Sequence, residues 1–200
     1  MKKKISSILV GLIALSVING SGGNGGNGGN GPSEESNIPY LKSNHNNYSK
    51  LTSEANPAPI KNETALSLSW SIKSKTETDA IKLYDHINFM VNTLENGGNP
   101  QPWDKLFLLE AFMKIAKRYT TEINRVDNIN VLVTKTATDR CAYKVISAHS
   151  DVVSGDFFGQ GVTSNDHSST AEEIINSTDC SASKIDLETY ITANQKTRGQ

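Results

Sequence analysis

The chain has 200 residues, with 20 basic and 21 acidic side chains and a formal net charge of −1. That balance creates no overall field toward phosphate backbones or anionic membranes, so nucleic acid is excluded as an expected partner. At 36% hydrophobic and 6% aromatic residues the composition is lean for a globular protein, but the deficit lies largely in a Gly/Asn/Ser-rich N-terminal stretch, and the remainder suffices for one core.

Lys2, Lys3 and Lys4 precede an uncharged run from Ile5 to Ile18, the pattern of a basic leader and the short apolar core of a secretory signal. The run is shorter than the ~18 residues that a bilayer-spanning helix needs, which makes an uncleaved anchor the lesser alternative. Contact with a membrane is expected only through this segment. Ile18-Asn19-Gly20-Ser21, followed by Gly22-Gly23-Asn24, resembles the lipobox and flexible tether of bacterial lipoproteins. The resemblance covers only this N-terminal stretch. Ser21 stands where those proteins carry the lipidated cysteine, and a hydroxyl does not replace the alkylated thiol, so cleavage by an ordinary signal peptidase after Gly20 or Gly22 is expected instead.

From Gly22 to Gly31 a Gly-Gly-Asn repeat without apolar side chains reads as a flexible spacer. The Ser/Asn/Pro-rich continuation to Lys61 contains Ile38, Tyr40, Leu41, Tyr48 and Leu51, which either pin an arm on the domain or remain disordered. The expected organisation is a signal peptide over residues 1–21, a tether over 22–61, one domain over 62–194 and a polar tail over 195–200.

Within the domain, Leu66, Leu68, Trp70 and Ile72 alternate with Ser67, Ser69, Ser71 and Lys73, which predicts a half-buried strand. After Thr78 or Asp79 as a cap, Ala80, Leu83, Tyr84, Ile87, Met90, Val91 and Leu94 recur at helical spacing and stop before Gly97-Gly98. A second helix is predicted from Pro102, apolar around most of its circumference, with Phe112 in its core face and a narrow solvent stripe through Glu110, Lys114, Lys117 and Thr121.

The runs Ile129–Thr136 and Cys141–Ala148, separated by Thr138-Asp139-Arg140, read as a β-hairpin, with Val152–Phe158 as a third strand. A short helix from Ser169, with Glu172 as its capping partner, and a helical piece from Ser183 to about Ala193 complete the chain. The fold class predicted is α+β: an antiparallel sheet with two packed helices in a strand-helix-helix-strand meander, and a short C-terminal helical region.

The chain has two cysteines, Cys141 and Cys180. In an oxidising compartment such a pair is expected to be bridged rather than reactive, since neither lies in a Cys-x-x-Cys motif. Candidate metal ligands are His149, Asp151 and His167, a pair of imidazoles and a carboxylate that would meet if the intervening loop folds back, with Asp156 and Asp166 nearby. The competing reading is that these are solvated turn residues. No nucleophile elbow, zinc-protease helix or phosphate loop is present, so no catalytic residue is named and no cofactor is expected. The Gly155–Gly161 run reads as a turn tucking Phe157 and Phe158 inward. The functional expectation is an exported bacterial envelope-associated or secreted protein acting as a non-catalytic binding module, its partner a protein or surface ligand. The alternative is a small extracytoplasmic metal-dependent hydrolase. A sheet wrapped around helices with an internal ligand cavity, as in small-molecule carriers, is a third possibility, on architectural analogy alone.

Overall fold

A computed structural model describes residues 47–53, 58–162 and 164–197. The expected signal segment and the Gly/Asn repeat lie outside the described residues. The architecture is α+β, with a four-stranded antiparallel sheet in the order β1-β2-β4-β3. Its strands are β1 (Ile60–Asn62), β2 (Ser67–Lys73), β3 (Tyr119–Arg125) and β4 (Asn130–Ala137). Between β2 and β3 lie α1 (Glu77–Glu95) and α2 (Lys105–Ile115). After β4 come α3 (Arg140–Val152), a π-helical continuation (Val153–Gln160), α4 (Ser168–Ile175), a 3-10 turn (Thr178–Ser183) and α5 (Lys184–Asn194).

The alternation in β2 does what it predicts. Leu68, Trp70 and Ile72 are buried, and opposite them on β4 lie Lys135, Val133 and Val131. Tyr119 of β3 pairs with Ala137, Thr121 with Lys135 and Ile123 with Val133. The centre of this face is thus apolar except at Lys135 and Thr121, with Lys61 and Arg125 at its edges, and the helices cover it.

Three sequence expectations are corrected. Cys141–Ala148 is not the second arm of a hairpin but part of α3. Asp139 caps it by accepting from the Ala142 N–H at 2.9 Å, and Cys141, Ala142, Val145 and Ile146 lie at helical spacing on its buried side. The partner of β4 is instead β3, formed by residues that the sequence assigned to the end of the second helix and the loop after it. Lys117, in the left-handed region with φ 55°, turns the chain out of α2 and into that strand. Val152–Phe158 is not a strand: the helix runs on with wider π geometry, and Gly161, at φ 68°, ends it. The antiparallel sheet and the two helices that follow the first long strand stand, but the order of the later strands differs from the predicted meander.

The start of the domain is held by side chains that the sequence left ambiguous. Tyr48 stacks on His86 with ring centroids 4.0 Å apart, Leu51 packs on the core, and Thr52 bridges to Ser74. The Cys141–Cys180 disulfide ties α3 to the 3-10 turn. Arg118 binds both carboxylate oxygens of Asp139, at 2.9 and 2.6 Å, and donates to Ser183 Oγ at 2.8 Å, so the start of β3, the cap of α3 and the C-terminal region share one anchor. Among the described residues no helix is long and apolar enough to cross a membrane. An intramolecular disulfide is compatible with an extracellular location.

Candidate functional site

The inner sheet face and the helices do not close completely. Between them lies a pocket with a cavity volume of about 130 Å³. The sheet contributes Trp70, Ile72, Val133 and Lys135; α1 contributes Ile87, Met90, Val91 and Leu94; the loop before α2 and α2 itself contribute Trp103, Phe107 and Glu110. The end of α3 and the π-helical segment supply His149, Val153, Phe157 and Phe158. Ile87, Met90 and Val91 belong to the helical stripe that the sequence marked as core, yet they are only half-buried, because they face this space.

Besides His86, Gln101 and Thr121, the polar side chains of the pocket wall fall into two groupings. The first is a buried cluster centred on Glu110, one helical turn beyond Leu106. Its Oε1 accepts from Tyr119 Oη at 3.0 Å and from Lys135 Nζ, and its Oε2 accepts from His149 Nε2 at 2.7 Å. Burial alone would raise the Glu110 carboxyl's pKa, but the facing His149 and Lys135 override it and hold the group ionised far below the usual carboxylate range. His149 moves the other way. Burial pushes its pKa down, the Glu110 carboxylate only partly offsets this, and Lys135 pushes it down further. The pair is therefore a carboxylate accepting from a neutral imidazole. Burial and Glu110 together raise Tyr119 well above a phenol's ordinary range, so it remains a donor.

The second grouping fastens the pocket's rim. His167 donates from Nδ1 to Asp104 Oδ2 at 2.8 Å and from Nε2 to Asp156 Oδ2 at 3.0 Å. The same Asp104 caps α2 by accepting from the Leu106 N–H at 2.8 Å. The bond to Asp104 is the largest influence on His167; it raises the pKa, as does Asp156, against the opposing effect of burial. A charged imidazolium thus clasps the π-helical segment to the start of α2.

The three metal candidates separate. His149 and His167 line the same pocket, with the Phe107 ring neighbouring both at centroid distances of 4.6 and 6.4 Å. Asp151 does not line it and is ion-paired with Lys61. His149 Nε2 is taken by Glu110, and both His167 nitrogens by aspartates. Among the described residues no group of three or more His, Cys, Asp or Glu side chains could hold a metal ion. Phe157 and Phe158 are buried, tucked inward as the sequence suggested.

Sequence reasoning missed Glu110 and Lys135. Glu110 and Lys114, placed in the solvent stripe of the second helix, are 3% and 7% exposed, whereas Phe112 is only half-buried against Tyr190. The helix is turned so that its charged residues face the sheet, because Lys135 and Tyr119 wait there. The available signal was Lys135 itself, an inward position in the alternation Val131, Val133, Lys135, Ala137.

Searches of protein-family models, curated proteins and solved structures found no match to the chain.

Proposed function

We propose that this is an exported binding module that holds a small, mostly apolar ligand in the pocket under the sheet, without transforming it. The observation that carries the reading is the pocket of about 130 Å³, walled by aromatic and aliphatic side chains around one buried polar cluster. Small-molecule sites typically combine an apolar enclosure with a few placed polar groups. An apolar cavity of roughly 150 Å³ holds a benzene-sized molecule, so a ligand of about six to nine non-hydrogen atoms fits inside, with any longer part leaving through the rim. Export rests on the basic leader and apolar run at the N-terminus, and the disulfide is compatible with it. The metal-dependent hydrolase draws less support, since its carboxylate, Asp151, pairs with Lys61 instead of lining the pocket.

The chain's two tryptophans, Trp70 and Trp103, both line the pocket, so their emission reports on it directly. Titration with cyclohexanol should change that emission saturably, and Thr121→Phe, which fills the space from β3, should abolish the response. An unchanged spectrum up to the solubility limit, or an equal response in Thr121→Phe, counts against a ligand pocket.

A further inference from the structure

The donors and acceptors of the pocket wall restrict which ligands it takes; this step rests on the pocket being a ligand site. We propose that the pocket selects an apolar ligand ending in a carboxylate, which Lys135 receives. The strand alternation turns Lys135 inward, where its side chain is 8% exposed. An ammonium has three N–H donors. One goes to Glu110 Oε1, and the other contacts of Nζ are the ring faces of Trp70 and Tyr119, at 5.8 and 5.6 Å. Rings attract the cation but offer no oxygen, so donor capacity is left over. Glu110 has none to give in return, because Tyr119, Lys135 and His149 already occupy both of its oxygens.

The same wall holds a further donor. Trp70 Nε1 is buried with no hydrogen-bond partner among the described residues. Lys114 adds a second cation beside the cluster, its Nζ 4.9 Å from the Tyr119 ring and 3.5 Å from Thr121 Oγ, although Glu95 pairs with it at 3.1 Å. Around the cluster, Lys135 and Trp70 have donors to spare, both Glu110 oxygens are taken, and the acceptor left without a partner is the buried Nδ1 of the His149 ring. An ammonium ligand would add donors to that surplus. A hydroxyl can accept but also brings a donor that needs a partner. A carboxylate brings acceptors only, in the geometry that makes the stronger, charge-assisted bonds. Its apolar body would meet Phe107, Met90 and Val133.

The test compares ligands of one shape and different charge. The full-length oxidised chain is titrated at pH 7 with hexanoate, 1-hexanol and hexylammonium, followed by tryptophan emission. Hexanoate should bind about ten-fold more tightly than hexanol, and hexylammonium more weakly than either. In Glu110→Gln/Lys135→Met the glutamine oxygen keeps Tyr119 as a donor, and its NH2 replaces the oxygen that His149 faces and donates to His149 Nε2 in that ring's other tautomer. Hexanoate and hexanol should then converge to within about two-fold. Circular dichroism checks the fold of this variant, and the ranking in the native chain decides the question even if the variant does not fold. Hexanol binding as tightly as hexanoate, or a double variant that keeps the ten-fold preference, overturns the carboxylate inference and leaves the pocket reading in place. If none of the three ligands binds, the pocket reading falls and this inference falls with it.

Discussion

Replacing Glu110 by leucine removes the only anion that Lys135 touches in the described structure. A buried charge left uncompensated in this way costs about 3–5 kcal/mol. Tyr119 Oη and His149 Nε2 lose their acceptor in the same step, at about 1–3 kcal/mol for each stranded group. Because these losses fall within one cluster they overlap rather than add, and the expected total is about 4–6 kcal/mol, a large share of the roughly 5–15 kcal/mol available to a domain. Lys135→Met should cost less, about 1–3 kcal/mol, since Tyr119 and His149 still donate to Glu110 and His149 can take up a proton in place of the lost cation. In Glu110→Leu/Lys135→Met no charge remains to be stranded. The double variant should therefore lose about 2–3 kcal/mol less stability than the sum of the two single losses. Urea unfolding at pH 7, with the disulfide intact and followed by tryptophan emission, measures all four corners of this cycle. Additivity within about 0.5 kcal/mol, or a Glu110→Leu cost under about 1 kcal/mol, would refute the buried cluster as described.

Removal of the disulfide by Cys141→Ser/Cys180→Ser opens a loop closed across 39 positions and should cost about 4 kcal/mol in the chain-entropy account; a loss under about 1 kcal/mol in urea unfolding contradicts it. Leu108→Ala, at a fully buried position on α2, should cost about 2–5 kcal/mol through the cavity it leaves, measured in the same way. The His167 clasp predicts a pH dependence of defined sign. Its folded pKa is raised above the unfolded value, so its stabilisation is complete below the unfolded pKa, near ~6.5, and is lost as pH rises through the folded pKa. The stability difference between the native chain and His167→Gln should shrink as pH rises from 6 toward 9 on the usual histidine scale; a constant or growing difference contradicts the clasp.

Much of the fold was readable in the sequence wherever a period repeated often enough. Leu68, Trp70 and Ile72 mark β2 by alternation, and the stripe from Ala80 to Leu94 marks α1. Both succeeded because a single apolar face must point one way. Where elements met, the local pattern misled. Val145 and Ile146 suggest a strand, but the Asp139 cap and the paired apolar positions 141/142 and 145/146 favour helix, and the disulfide to Cys180 fixes that helix in place. Tyr119, Thr121 and Ile123 alternate as a strand should, yet they follow an apolar helix with no glycine at the break, since Lys117 makes the turn itself.

The candidate site was less legible, for a physical reason. A glutamate on a helix reads as a solvated residue unless its partner is known, and the partner of Glu110 lies 25 positions away on a strand. The histidines were visible as residue types but not as roles: His149 is oriented by Glu110, and His167 joins Asp104 to Asp156, pairings that depend on how α2 crosses the sheet.

The central claim, a ligand pocket beneath the sheet, is tested most directly by ¹H–¹⁵N spectra of the oxidised full-length chain titrated with hexanoate. The account predicts saturable shifts of the Trp70 and Trp103 indole N–H signals and of backbone amides in β4 and the π-helical segment. Indole signals that stay fixed while shifts gather at exposed positions such as Ile60 and Ile185 would contradict it.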